Sequence, residues 1–379
     1  MKKLGLLISI LVISYSALAI NFSRVNVAWQ YDLGSPIQMA HRVVSVDGKI
    51  SVFLRIKTDS LTNWEYEFLN QDGYESEKHN VVSPIAIDTL LNADREILLR
   101  IDLGSDLKSL FVVNIFRFEE YYYYDIGLKI GSISFPPIYP VNKEGLPILS
   151  NYINRSGYQW KNSEYYYTMK YGESYGEADP PMADMKPLAP KATLDSSFSF
   201  VDSVDFETGY FYTVLADSTA ASGLTVLRVP PYYPEYRKLT ELVESMFYLT
   251  SDAEKKSLIN SKDLKKNFDS FWINNFNTKP RARNAIRKYY NSIEQANRIF
   301  TDFKPGWKTD RGMIYIVYGR PNEVYRTNGL EEWYYDTGET FEYSVISSFF
   351  AARTYALRRS KELEESWFTA IANIRRGIK

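Results

Sequence analysis

The sequence predicts a multidomain β and α+β fold: an N-terminal antiparallel β-sandwich, then a C-terminal domain of helices plus a small antiparallel sheet. Three observations predict it. Apolar residues alternate with a period of two through most of the first 215 positions, as in half-buried strands. After Pro230–Pro234 they recur at helical spacing. The chain has 379 residues and no cysteine, so about two domains must be held by apolar cores without disulfides. The boundaries read as 1–19 signal peptide, 20–215 β-sandwich, 216–235 linker and 236–379 α+β domain.

Met1–Ala19 has the form of a secretory signal: Lys2 and Lys3, an apolar run, and Ala17-Leu18-Ala19 as a small-x-small cleavage site. No later run reaches the ~20 apolar residues of a membrane-crossing helix, and no cysteine is present to carry a lipid anchor. The expectation is an exported protein, periplasmic or associated with the outer membrane. A formal charge of -1 gives no field to attract nucleic acid.

Strands are predicted at Val25–Trp29, Ile50–Ile56, Ile97–Ile101, Leu110–Phe116 and Ile126–Ile130, with Asp47-Gly48 and Asp72-Gly73 as turns. Short strands with turns and no helices between them argue for an antiparallel sandwich. Tyrosine is abundant, with 31 copies, and the runs Tyr121–Tyr124 and Tyr165–Tyr167 must each place at least one ring outward. Such rings pair across strands, or stack on a sugar or a protein partner. Gly172–Ala192, acidic and bearing several prolines, reads as a long loop or docking arm.

In the C-terminal part, Leu239, Leu242, Val243, Met246 and Phe247 form a helical stripe, and Ser251 with Glu254 fits a capping box. Leu264, Phe268, Phe271 and Trp272 form the next stripe, and Ile286 to Phe300 a longer one. Lys279, Arg281, Arg283, Arg287 and Lys288 make the one dense basic cluster. It sits at a predicted helix N-terminus, where the helix dipole disfavours cations, which makes it a candidate binding patch.

Phe303–Pro321 packs Pro305, Gly306, Trp307, Gly312, Gly319 and Pro321 into one stretch. It reads as a rigid loop folded over Trp307, with Thr309 and Asp310 bonding nearby backbone and Asp310 capping the loop or pairing with Arg311. Met313–Tyr318 then reads as a buried strand. Strand-like runs follow at Glu323–Tyr325, Glu332–Tyr335 and Thr340–Ile346, then a last helix capped by Ser360 that packs back on the sheet.

The run GWKTD at Gly306–Asp310, continued by RGMIYIVYGRP, resembles the GWxTD-domain proteins, an uncharacterised family from the cell envelopes of Bacteroidetes-type bacteria. Tyr318, Gly319, Pro321, Trp333 and Tyr334 extend the resemblance, while Met313 stands where Arg is more usual. It covers roughly the last third of the chain and implies a fold region and a compartment but no reaction. Gly306, Trp307, Thr309, Asp310, Arg311, Gly312, Tyr318, Gly319, Pro321 and Trp333 are therefore candidate interaction or structural residues.

Two histidines, His41 and His79, and no cysteine leave little for catalysis or metal binding. Asp310 with Glu331 or Glu332 is the one acid pair to weigh. No catalytic residue, cofactor or metal is assigned. The expected function is that of a non-enzymatic envelope protein binding a protein partner, the alternative a glycan-binding or glycan-cleaving protein using tyrosine surfaces.

Overall fold

A computed structural model describes residues 21–378, apart from 47, 60–63, 105–106, 120, 131–134, 173–174, 184–185, 187–188 and 277. The predicted signal segment lies outside the described residues. Val25–Trp29 is not a strand: the chain makes two 3-10 turns, Phe22–Arg24 and Ala28–Tyr31. Asparagine side chains bend it locally, since Asn21 Oδ1 accepts from Ser23 N at 3.2 Å and Asn26 Oδ1 from Ala28 N at 2.9 Å.

Eight strands follow: β1 (Ile37–Val46), β2 (Lys49–Thr58), β3 (Trp64–Gln71), β4 (His79–Val81), β5 (Ala86–Ala93), β6 (Glu96–Leu103), β7 (Leu110–Arg117) and β8 (Tyr122–Lys129). They form two four-stranded antiparallel sheets, ordered β1-β2-β6-β5 and β4-β3-β7-β8. Val52, Leu54 and Ile101 of one sheet share a core with Phe111, Val113 and Ile115 of the other. The register Val46↔Lys49 puts the β1–β2 turn where it was read, with Gly48 at φ +73° and Asp47 outside the described residues.

A second β unit follows, with β9 (Tyr139–Val141), β10 (Tyr152–Ile153), β11 (Gln159–Lys161), β12 (Tyr166–Tyr171), β13 (Leu194–Phe200), β14 (Phe211–Leu215) and β15 (Leu224–Arg228). Five strands form a sheet ordered β10-β15-β14-β12-β13, and β9 pairs with β11. Its core is separate, built on Trp160, Tyr166, Tyr212, Val214 and Val226. Strand β15 falls inside the 216–235 stretch read as a linker, and it pairs in register with β14. The acidic, proline-bearing loop straps this unit to the C-terminal region. Glu177 pairs with Lys308 at 3.4 Å, and Arg359 donates to the carbonyls of Asp179 and Pro180 at 3.0 and 3.2 Å.

The C-terminal region holds α1 (Leu239–Glu244), α2 (Asp252–Ile259), α3 (Leu264–Phe276), α4 (Lys279–Phe300), α5 (Asp310–Tyr318) and α6 (Glu364–Arg376). The Ser251–Glu254 capping box is formed. A sheet ordered β16 (Glu323–Arg326), β17 (Leu330–Tyr334), β18 (Thr340–Ser348) and β19 (Ala351–Leu357) lies beside the helices. The sequence reading had missed β19.

Met313–Tyr318 is helical, not a strand. Met313 to Val317 are all buried, so no face is left to show a polar periodicity, and a short apolar run reads equally well either way. Ser360 caps a 3-10 turn at Lys361–Leu363 ahead of α6, which packs against α5, α3 and the turn at Phe247–Leu249. Helix α5 already contacts β19, and Trp333, Phe341, Tyr343 and Leu357 of the sheet share a core with Met313, Ile314 and Trp367 of the helices.

Candidate functional site

The GWKTD stretch is the joint where α4 turns into α5. Gly306 is a packing requirement: a Cβ there would stand 2.0 Å from Ala296 O, closer than atoms can approach. The same holds at Gly312, whose Cβ would fall 1.9 Å from Gly306 O. Thr309 caps α5: its hydroxyl donates to Gly306 O at 2.7 Å and accepts from Gly312 N at 3.0 Å.

Trp307 is 0% exposed, so it is an internal post and not a contact surface. Its Nε1 donates to Tyr236 Oη at 2.8 Å, its N to Asn297 Oδ1 at 3.1 Å, and its carbonyl accepts from Tyr248 Oη at 3.1 Å. Asp310 neither caps the loop nor pairs with Arg311. It accepts from Leu357 N at 2.7 Å and pairs with Arg359 at 2.7 Å, tying α5 to the end of β19.

Arg311 turns inward to a buried cluster. Glu331, with no exposed surface, accepts from Arg311 Nη1 at 3.3 Å, Arg326 Nε at 2.7 Å, Tyr31 Oη at 2.8 Å and Trp333 Nε1 at 2.8 Å. Burial alone would raise the Glu331 pKa. Arg326 and Arg311 overcome it and hold the carboxyl at about 2. The Arg311 guanidinium lies 3.5 Å over the Tyr355 ring.

The rest of the motif closes α5. Gly319, at φ +91°, donates its N–H to Tyr315 O and accepts from Tyr335 Oη at 2.9 Å. Tyr318 Oη meets Ser366 Oγ at 3.1 Å, and Pro321 is buried. The motif residues are thus brought together around one internal joint. Asp310 and Glu331 do not form a catalytic acid pair, because each carboxylate is taken up by arginine, and Glu332 alternates to the opposite face of β17 from Glu331.

Sequence reading missed Tyr31, Asn297, Arg326 and Arg359. Only Arg326 was within reach, since the Asn328-Gly329 turn places it opposite Glu331 in the β16–β17 register.

Lys279, Arg281, Arg283, Arg287 and Lys288 are exposed on the N-terminal half of α4 and make no ion pair among the described residues. They lie apart from the motif, on a helix whose other face buries Ala282, Tyr289 and Ile293. His41 is held neutral at pH 7: burial, then the charges of Arg353, Arg326 and Arg42, lower its pKa to about 3. Among the described residues no group of His, Asp or Glu is placed to hold a metal ion, and no helix is long and apolar enough to cross a membrane.

Two other features face outward. At the β7–β8 hairpin, Tyr121 is 83% exposed, with Phe118, Tyr122 and Tyr123 also exposed and Tyr124 turned inward. In the second run Tyr165 is outward and Tyr166 buried. Beside the motif, a cleft of about 170 Å³ is lined by Asp302, Lys304, Asp310, Arg311, Thr354 and Tyr355 among others. Burial raises the Asp302 pKa to about 6 against the opposing charge of Lys304, and burial lowers that of Lys304.

No curated protein matches the chain. The model of the GWxTD domain family matches residues 210–376, from the last strands of the second β unit to the end of α6. Tied together by Gly306, Trp307, Thr309, Asp310 and Arg311, this C-terminal region is a GWxTD domain.

Proposed function

We propose that the protein is an exported, non-enzymatic component of the cell envelope, associated with the outer membrane, that acts as a scaffold by holding a protein partner on its β7–β8 hairpin. The GWxTD joint fixes the frame and the hairpin makes the contact. One observation carries this reading: a cluster of aromatic rings at the hairpin stands exposed among the described residues. Phe116 packs on Phe118 at 5.0 Å and 80°, on Tyr121 at 6.5 Å and 68°, and on Tyr123 at 4.7 Å and 42°. Rings set at such angles make a knob rather than a flat platform. A knob of tyrosine and phenylalanine suits a pocket on a protein, where aromatic side chains dominate binding energy.

The hairpin is also fixed in place. Tyr121 is held at φ +51°, a left-handed conformation that costs a non-glycine residue about 1–2 kcal/mol. Backbone strain of this kind gathers at contact sites. Below it the buried Arg117 pairs with Asp59 at 2.6 Å and Glu119 at 2.7 Å.

The test is crosslinking of tagged protein in living cells, comparing the unaltered chain with Tyr121→Ala/Tyr123→Ala. A stoichiometric envelope protein captured by the first and lost by the second supports the scaffold. Capture that survives the double substitution refutes it, and recovery of bound polysaccharide in place of a protein favours a glycan-binding protein.

A further inference from the structure

The cleft beside the motif is close to charge balance. Asp310 is paired with Arg359, Arg311 with Glu331, and Asp302 lies beside Lys304, whose N–H it accepts at 3.1 Å. A charged ligand would bring an uncompensated charge into a half-buried space, whereas a neutral one would not.

Hydrogen-bonding capacity, unlike charge, is left over. Arg311 uses Nη1 on Tyr31 and Glu331, and its Nε and Nη2 donors meet no acceptor among the described residues. Asp302 Oδ1 takes the Lys304 backbone N–H, and no side-chain donor among the described residues hydrogen-bonds its carboxylate. Thr354 lines the cleft as well, but its Oγ1 is buried out of reach of a ligand there. A ligand filling these valences must donate and accept together, as vicinal hydroxyls do.

The walls include Phe303 and Tyr355, which offer apolar surface to C–H groups. The size is also suitable, because an engineered protein cavity of about 150 Å³ takes a six-membered ring.

We propose that this cleft binds a neutral, polyhydroxylated molecule the size of one sugar ring, with Asp302 accepting from its hydroxyls and Arg311 donating to them. The ring is either a free sugar or the end of a glycan chain. The site is independent of the hairpin contact, so either can fail alone.

Saturation-transfer NMR on the whole protein tests it, using millimolar glucose, galactose, N-acetylglucosamine and inositol, with maltotriose as a chain end and acetate and phosphate as charged controls. At least one neutral probe should receive saturation. Transfer to a monosaccharide identifies a free-sugar site, and transfer confined to one terminal ring of maltotriose identifies a chain end. Asp302→Asn should weaken binding about 10- to 100-fold, the loss of a charged hydrogen bond. Asp302→Asn should not lower the thermal midpoint at pH 7, and Tyr121→Ala should leave sugar binding unchanged. No transfer to any neutral probe, binding of acetate or phosphate instead, or unchanged binding in Asp302→Asn would overturn the proposal.

Discussion

The GWKTD joint and the β7–β8 hairpin are both built from aromatic residues and strained or close-packed backbone, and they use them in opposite ways. At the joint, Trp307 is sealed on every side and its two N–H groups and carbonyl are all bonded within the chain. At the hairpin, Tyr121 stands in solvent and its ring meets that of Phe116 edge-on. A motif dense in glycine, tryptophan and threonine marks a place where the fold has a single solution. The plain tyrosine run, unremarkable as a pattern, forms an exposed surface, the one proposed above to meet a partner.

Breaking the joint should have the largest effect. Gly306→Ala puts a methyl group into the α4 backbone, 2.0 Å from Ala296 O and 2.7 Å from Asn297 Cα. A destabilisation above about 4 kcal/mol is expected, enough to leave little folded protein in a denaturant titration. If that variant unfolds at the ordinary midpoint, the joint is not the close-packed element described. Glu331→Ala comes next. It leaves Arg311 and Arg326 facing each other without the carboxylate and should cost about 3–5 kcal/mol by chemical denaturation.

Acid sharpens the comparison within the C-terminal domain. Glu331 is held at about 2, below its ordinary value, so the stability it supplies is complete above about pH 4.5 and is lost as pH falls toward 2. Asp302 has the opposite sign. Its pKa is raised to about 6, so the folded state binds the proton more tightly and stability falls as pH rises from about 4 through 6. Asp302→Asn should therefore raise the thermal midpoint above about pH 7 and leave it nearly unchanged below about pH 4. A midpoint unaffected at both ends would show that Asp302 is well solvated.

The hairpin should respond least in stability. Tyr121→Ala is expected to stay within about 0.5 kcal/mol of the unaltered protein, and Tyr121→Gly to gain up to about 1 kcal/mol by releasing the left-handed strain. Both should lose partner capture. A hairpin substitution that destabilises like Glu331→Ala would erase the distinction between the two regions.

The sequence showed some of this directly and could not show the rest. The stripes of α3 and α4 were legible because one face of each is solvated and the periodicity survives. Ser251 and Glu254 were legible because a capping box is local. Helix α5 was not, since a segment buried on all sides carries no period. The partners of the motif's charged residues were hidden for another reason. Arg359 lies 49 positions from Asp310, and Tyr31 lies 300 positions from Glu331. Nothing in a linear string joins residues that only the finished fold brings together.

The distance between Tyr31 and Glu331 also has a temporal meaning. Phe22, Val27, Ala28 and Tyr31, among the first described residues, lie in the same core as Trp307, Trp333 and Trp367 near the other end. Asn26 Oδ1 accepts from Val324 N at 3.0 Å, and Val27 N donates to Val324 O at 2.9 Å, so the leading segment borders the edge of the last sheet. A ribosome releases these two pieces in the order least convenient for their union. Bringing them together closes a loop of 298 positions, a contact far from local in sequence and costly in chain entropy. The matched region alone would emerge with its Glu331 cluster missing a wall.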